Sequence, residues 1–324
     1  MKTPAGKGGA SGGLIAVVSL GLHLCLQGSI QFLVRKHGVE ASRERALGIH
    51  FVSFVMMVIC YLGAALSTGD RIQGWPWDPR APRGKGPPAT PFELKSSNGK
   101  PRFCKTCKVF KPDRAHHCHR CGQCHLGMDH HDILILNCVH HKNQKYFFLF
   151  LFYAAAHAGV SLYILNSYSL FPDVYRTLDR REFEMDKFFL SMQYKLCFIA
   201  LWSISLFYFI VFGAWFMFYA LLVAYGYKTI EFTEKRLRAI DSAKSAANRR
   251  SVLRVWSVLN PYSRGVYTNL RNTLGVPLLW LFPIIMTAAG SNPELGYRPI
   301  LSKRGESFFN ILNEKWKVKG RKTK

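Results

Sequence analysis

Apolar residues in this chain gather in long blocks and do not alternate with a helical or strand period. A bilayer hydrocarbon core about 30 Å thick needs roughly 20 mainly apolar helical residues. Four blocks reach that length, namely Gly13–Val34, Ala46–Leu66, Tyr146–Phe171 and Cys197–Tyr225, and they predict four transmembrane helices. A fifth block, Leu274–Ala289, is shorter and is broken by Pro277 and Pro283, so it reads as interfacial or packed on the bundle. Lys2 and Lys7 give the first block the look of a signal peptide, but its length and the three later blocks argue that it stays in the mature chain.

These blocks divide the chain into four regions: 1–67 with the first two helices, a loop at 68–145, 146–226 with the third and fourth helices, and a tail at 227–324. The fold class expected is therefore an all-α polytopic membrane protein carrying a large loop. The net charge of +25 sharpens the topology because of where it lies. Residues 67–145 hold 14 Lys and Arg against 6 acids, and the chain from Lys228 onward holds 19 against 6. The connection between the third and fourth blocks is balanced. The positive-inside rule then puts both termini and the central loop in the cytosol. This placement, with attraction to anionic lipid, accounts for the charge without nucleic acid.

Cysteine use fits a reducing compartment. Six of nine cysteines fall between Cys104 and Cys138, at spacings that suit metal ligands better than disulfides. Cys104 and Cys107 form one C-x-x-C pair, and Cys118, Cys121 and Cys124 form two more, with His117, His130, His131 and Cys138 nearby. Zinc takes four tetrahedral thiolate or imidazole ligands, so six Cys and two His make two closed structural sites. Spacing leaves open which donors share an ion. His116, His119, His125, His140 and His141 exceed the need and are expected to be mostly solvated. Cys25, Cys60 and Cys197 read as packing residues in or beside spans.

With its four spans, cysteine-rich loop and two tail motifs, the sequence resembles the DHHC-type palmitoyltransferases, membrane enzymes that attach fatty acyl groups to protein cysteines. The tail motifs are Lys228-Thr229-Ile230-Glu231, which keeps Thr229 and Glu231 of a Thr-Thr-x-Glu pattern, and the stretch from Asn260, Pro261 and Tyr262 to Asn269. The resemblance implies two Zn2+ ions, one on Cys104, Cys107, His117 and Cys124, the other on Cys118, Cys121, His131 and Cys138. It also implies acyl-CoA as co-substrate and cysteine-bearing proteins as acceptors. An acyl-chain cavity among the spans is implied too, for which Phe147, Phe150, Trp202, Phe207 and Tyr208 are candidate lining.

In that family a cysteine after two histidines attacks the thioester and carries the acyl group. The resemblance gives Asp129 and His130 the orienter and base positions. The nucleophile position holds Asp132, and Asp132-Ile133-Leu134 stands where the family has Cys-Pro-Trp. A carboxylate is a poor nucleophile toward a thioester, and attack would form a more reactive mixed anhydride. A carboxylate beside His130 would also favour the protonated imidazole. The expectation is a member of the fold whose acyl transfer is impaired, the alternative being a non-catalytic relative that binds partner proteins or lipid. The terminal Arg321-Lys322-Thr323-Lys324 points to the endoplasmic reticulum or Golgi ahead of the plasma membrane, and Glu234–Ala247 reads as a polar surface helix.

Overall fold

A computed structural model describes residues 41–69, 102–169, 185–233, 260 and 262–284, with Gly21 and Gly28. The first predicted span, the polar helix from Glu234 and the basic terminus lie outside the described residues. Among the described residues there are three long helices: α1 (Ala41–Leu66), α2 (Gln144–Ser169) and α3 (Met185–Ala224). Each contains a stretch long and apolar enough to cross a membrane, at Arg45–Leu66, Gln144–Asn166 and Lys195–Ala224. Helix α3 begins about three turns before the apolar block that predicted it. A short helix α4 (Val266–Leu274) ends where the fifth block begins, and within that block Pro277 opens a 3-10 turn (Pro277–Leu279).

The loop corrects the all-α expectation. It holds three antiparallel hairpins: β1 (Phe103–Cys104) with β2 (Val109–Phe110), β3 (His116–Cys118) with β4 (Gln123–His125), and β5 (His130–Asp132) with β6 (Asn137–Val139). The physical reason is the turn chemistry at the C-x-x-C spacing. The N–H of Cys107 donates to Cys104 Sγ at 3.4 Å, and that of Lys108 to the Cys104 carbonyl at 2.8 Å. Cys118 receives the same two bonds, from Cys121 at 3.4 Å and Gly122 at 2.9 Å. Each turn closes through a left-handed residue just before the second strand, at Lys108, Gly122 and Leu136.

The hairpins repeat with a period of fourteen residues: Cys104, Cys118 and Asp132 share one position, and Cys107, Cys121 and Ile135 another. Donors one strand apart follow the same step, with His117 and His131, then Cys124 and Cys138.

The chain sorts into two compact units, Met1–Gly13 with Gly63–Phe147 and Tyr219–Lys324, and Leu14–Leu62 with Phe148–Phe218. In the second, α1 and α2 meet through buried polar groups that would be costly facing lipid. The His50 and His157 rings stack at 4.2 Å, and His50 Nε2 lies 2.9 Å from Ser161 Oγ. Helices α2 and α3 pack through aromatic pairs, including Phe150 with Phe212 at 5.8 Å. Phe150 and Tyr208 are buried, whereas Phe207 is 63% exposed and so faces away from the helix packing.

In the first unit, asparagines tie the hairpins to the last carbonyls of α1, groups that no helix can satisfy internally. Asn137 Nδ2 donates to the Ala64 and Ala65 carbonyls at 3.2 Å each, and Asn143 Nδ2 to that of Ala64 at 2.9 Å. Gly63 lets Tyr146 close in, because a Cβ there would meet its ring at 2.7 Å.

Candidate metal centre and the adjoining acid and histidine site

The hairpins bring eight donors into two groups: Cys104, Cys107, His117 and Cys124, and Cys118, Cys121, His131 and Cys138. Ligands on a tetrahedral ion with thiolate and imidazole bonds stand about 3.5–3.8 Å apart. In the first group the three sulfurs lie 3.6, 3.3 and 3.7 Å from His117 Nδ1. In the second they lie 3.6, 3.4 and 3.6 Å from His131 Nδ1, and Cys121 Sγ is 3.5 Å from Cys138 Sγ. Chemistry and spacing both fit a metal ion in each. The small apolar clusters around them could not hold such a loop alone.

His125 and His140 depart from the expectation that the surplus histidines are solvated. They are 1% and 0% exposed, and their rings stack nearly parallel at 5.5 Å. His125 pairs with His116 across β3 and β4, on the face opposite Cys124, and Gly69 lies against its ring with no Cβ to collide. Burial lowers His140 to about 3, so it stays neutral. His119 is exposed, while His116 and His141 are half-buried.

Beside the second group lies a fully buried Asp129. Its Oδ1 accepts the Thr229 N–H at 2.6 Å, and its Oδ2 accepts the Tyr219 hydroxyl at 2.9 Å. Burial alone would raise this carboxyl, but His130, Lys228 and the Thr229 N–H outweigh it and hold it well below the usual range. His130 Nδ1 is 3.5 Å from Asp129 Oδ1, and its ring sits edge-on to Phe147 at 5.2 Å. Burial would lower His130, yet Asp129 and Asp132 raise it to about 9.

Asp132 is 3% exposed. Its Oδ1 accepts the N–H groups of Leu134 at 2.8 Å and Ile135 at 3.0 Å, and its Oδ2 is 3.7 Å from His130 Nε2. The carboxylate thus closes the third hairpin as the Cys104 and Cys118 sulfurs close the first two.

The tail motifs converge here. Arg114 donates to both Glu231 oxygens, at 2.7 and 2.8 Å, and to the Gly226 carbonyl at 2.6 Å, with its guanidinium 3.7 Å over the Tyr262 ring. Asn260 Nδ2 donates to the Tyr225 carbonyl at 2.7 Å, and Asn269 Nδ2 to that of Ala224 at 2.8 Å, so both cap the end of α3. Pro261 lies outside the described residues.

Three residues around the site went unnoticed in the sequence, Tyr219, Arg114 and Gln144, and Lys228 was named in the tail motif without a role. The Lys228 ammonium is buried and donates to Gln144 Oε1, and burial lowers it to about 8. Lys228 stands in place of the first Thr of the motif, a departure that could have flagged it. The other three carry no local signal.

The fold and site define a membrane-associated chain built around a Cys and His metal-binding loop. Residues 97–236 match the family model described as DHHC palmitoyltransferase. Over 200 residues the chain is 35% identical to "Probable protein S-acyltransferase 16" of Arabidopsis thaliana, covering 61% of this chain and 63% of that protein. Over 206 residues it is 33% identical to "Palmitoyltransferase PFA3" of Debaryomyces hansenii, covering 60% and 46%. A 58-residue stretch is 55% identical to "Probable protein S-acyltransferase 14" of Arabidopsis thaliana, covering 18% and 19%. Residues 97–236 are thus similar to a DHHC palmitoyltransferase domain, and the chain is similar to proteins named as palmitoyltransferases and protein S-acyltransferases. It spans less than two thirds of the length of each of these relatives.

Proposed function

We propose that this chain keeps the zinc-bound scaffold of a protein S-acyltransferase while acyl transfer through position 132 is lost or strongly reduced. Two zinc ions on the Cys and His groups would be structural, fixing the hairpins. Both termini and the loop would face the cytosol of an endomembrane compartment. The acyl chain of acyl-CoA would lie among the spans, and cysteine-bearing proteins would be the acceptors of any transfer.

The observation that carries this reading is the Asp132 carboxylate. One oxygen is committed to two backbone N–H groups and the other faces His130. A carboxylate is a poor nucleophile toward a thioester, and its attack would form a mixed anhydride more reactive than the thioester consumed, while Oδ1 stays bound in the turn. The orienting half remains: Tyr219 and the Thr229 N–H fix Asp129, which holds His130. With a thiol at 132, His130 would take its proton, the sulfur would attack the acyl carbon, and CoA thiolate would leave and be protonated.

The alternative, a non-catalytic relative that binds partner proteins or lipid, is favoured by the same carboxylate. Incubating the reconstituted protein with labelled palmitoyl-CoA is expected to leave no hydroxylamine-sensitive label. A thioester on the unmodified chain would overturn the proposal.

A further inference from the structure

Four charged groups, three of them buried, stand in a row beside the second metal group, and their signs alternate. Asp132 Oδ2 lies 3.7 Å from His130 Nε2, and His130 Nδ1 lies 3.5 Å from Asp129 Oδ1. Both ring nitrogens thus face carboxylate oxygens, so both serve as donors and the ring is an imidazolium. On its other side Asp129 is attracted by the Lys228 ammonium, which is itself buried and donates to Gln144 Oε1. All four groups belong to one compact unit. Arg114 and Glu231 beside them form their own two-bond pair and add no net charge.

Among the described residues, the row from Asp132 through His130 and Asp129 to Lys228 therefore sums to zero. Coulomb attraction falls off slowly at low dielectric, so the two ends feel each other along the row. Taking away one end leaves three groups with an uncompensated buried charge, which is far more damaging than losing both. The two ends are also places where a charged residue replaces a neutral one of the family pattern, Asp132 for Cys and Lys228 for Thr. Removing both would return the row to the neutral pair of Asp129 and His130.

We propose that Lys228 is a positioning residue matched to Asp132: it supplies the charge that lets a second carboxylate lie buried beside His130, and each substitution is tolerated because of the other. Lys228 acts through Asp129, the group it shares with His130. The proposal deepens the reading of position 132 given above and rests on it for the comparison with Cys and Thr, but no acyl-CoA enters its test.

A double-mutant cycle on the full chain in detergent micelles, read by chemical denaturation and metal analysis, tests this. Lys228→Met is made in the parent and in Asp132→Asn, which keeps an acceptor for the turn while removing the charge. Its effect on the unfolding constant should be at least about fivefold more damaging in the parent than in Asp132→Asn. Should Lys228→Met cost the parent its metal, the double variant should recover it. The control is Lys145→Met, at a buried lysine that donates to the Leu279 and Ile284 carbonyls at 2.8 and 2.9 Å, and it should act equally in both backgrounds. Equal damage by Lys228→Met in both backgrounds, loss of metal from the double variant as from the single, or the same background dependence for Lys145→Met would overturn the proposal. Each of these outcomes stands whether or not palmitoyl-CoA labels the protein, so it is separable from the test of acyl transfer.

Discussion

The β3–β4 and β5–β6 hairpins share a fourteen-residue frame, the same turn and the same left-handed closing position, yet they do different work. In the first, Cys118 and Cys121 close the turn and also supply donors to a metal group. In the second, Asp132 closes the turn and Ile135 fills the other place, 2% exposed. Backbone N–H groups at such a turn need an anionic or polar acceptor, and a carboxylate serves as well as a thiolate. The lesson is that turn closure and chemistry are separable, so the third hairpin can keep its shape while its reactive group is exchanged.

The largest break in the comparison comes from Cys118→Ser. It removes a donor from the second metal group, where a structural zinc contributes on the order of 10 kcal/mol to folding. Metal analysis should find that one ion or both are lost, and the loop should become protease-sensitive. Asp132→Ala, at the matching position, should leave the metal content unchanged.

Next in size is a gain of function. Asp132→Cys with Ile133→Pro and Leu134→Trp should produce hydroxylamine-sensitive labelling by palmitoyl-CoA where the parent has none. Failure of a variant that retains its metal would place the defect outside the hairpin.

Smaller again is the energetic cost of the cap. Asp132→Ala leaves two N–H groups without their acceptor and should lower stability by about 1–2 kcal/mol. Asp132→Asn keeps an acceptor oxygen and should lose less than half of that, as read from denaturation midpoints.

The finest contrast is in pH. Only the third hairpin adjoins a buried ionised site that includes Lys228. The ordinary lysine value is near 10.4, and the folded value is about 8. Between these values the unfolded chain binds more protons, so this group makes stability rise with pH from about 8 upward. Lys228→Met should remove that rise, and equal slopes in parent and variant would contradict it.

Much of the architecture was legible because it is local. Runs of apolar residues the length of a bilayer marked α1, α2 and α3, and C-x-x-C pairs marked the donors. The hairpins were missed because each strand is only two or three residues long, below any useful alternation. The fourteen-residue repeat was present to be read, and would have aligned Asp132 with Cys104 and Cys118. His125 and His140 were misjudged because polarity suggests solvent, whereas their burial depends on Gly69 and on stacking between separate strands.

By itself the sequence determined the three described span segments, the donor set and the absence of a thiol at position 132, since each is a matter of residue type at short separation. Tertiary structure alone decided what Asp132 does and what surrounds Asp129. Thr229 and Tyr219 reach Asp129 from 100 and 90 residues away, and Arg114 meets Glu231 across 117. Contacts over such separations depend on how the helices and hairpins pack, and no local pattern in the chain encodes them.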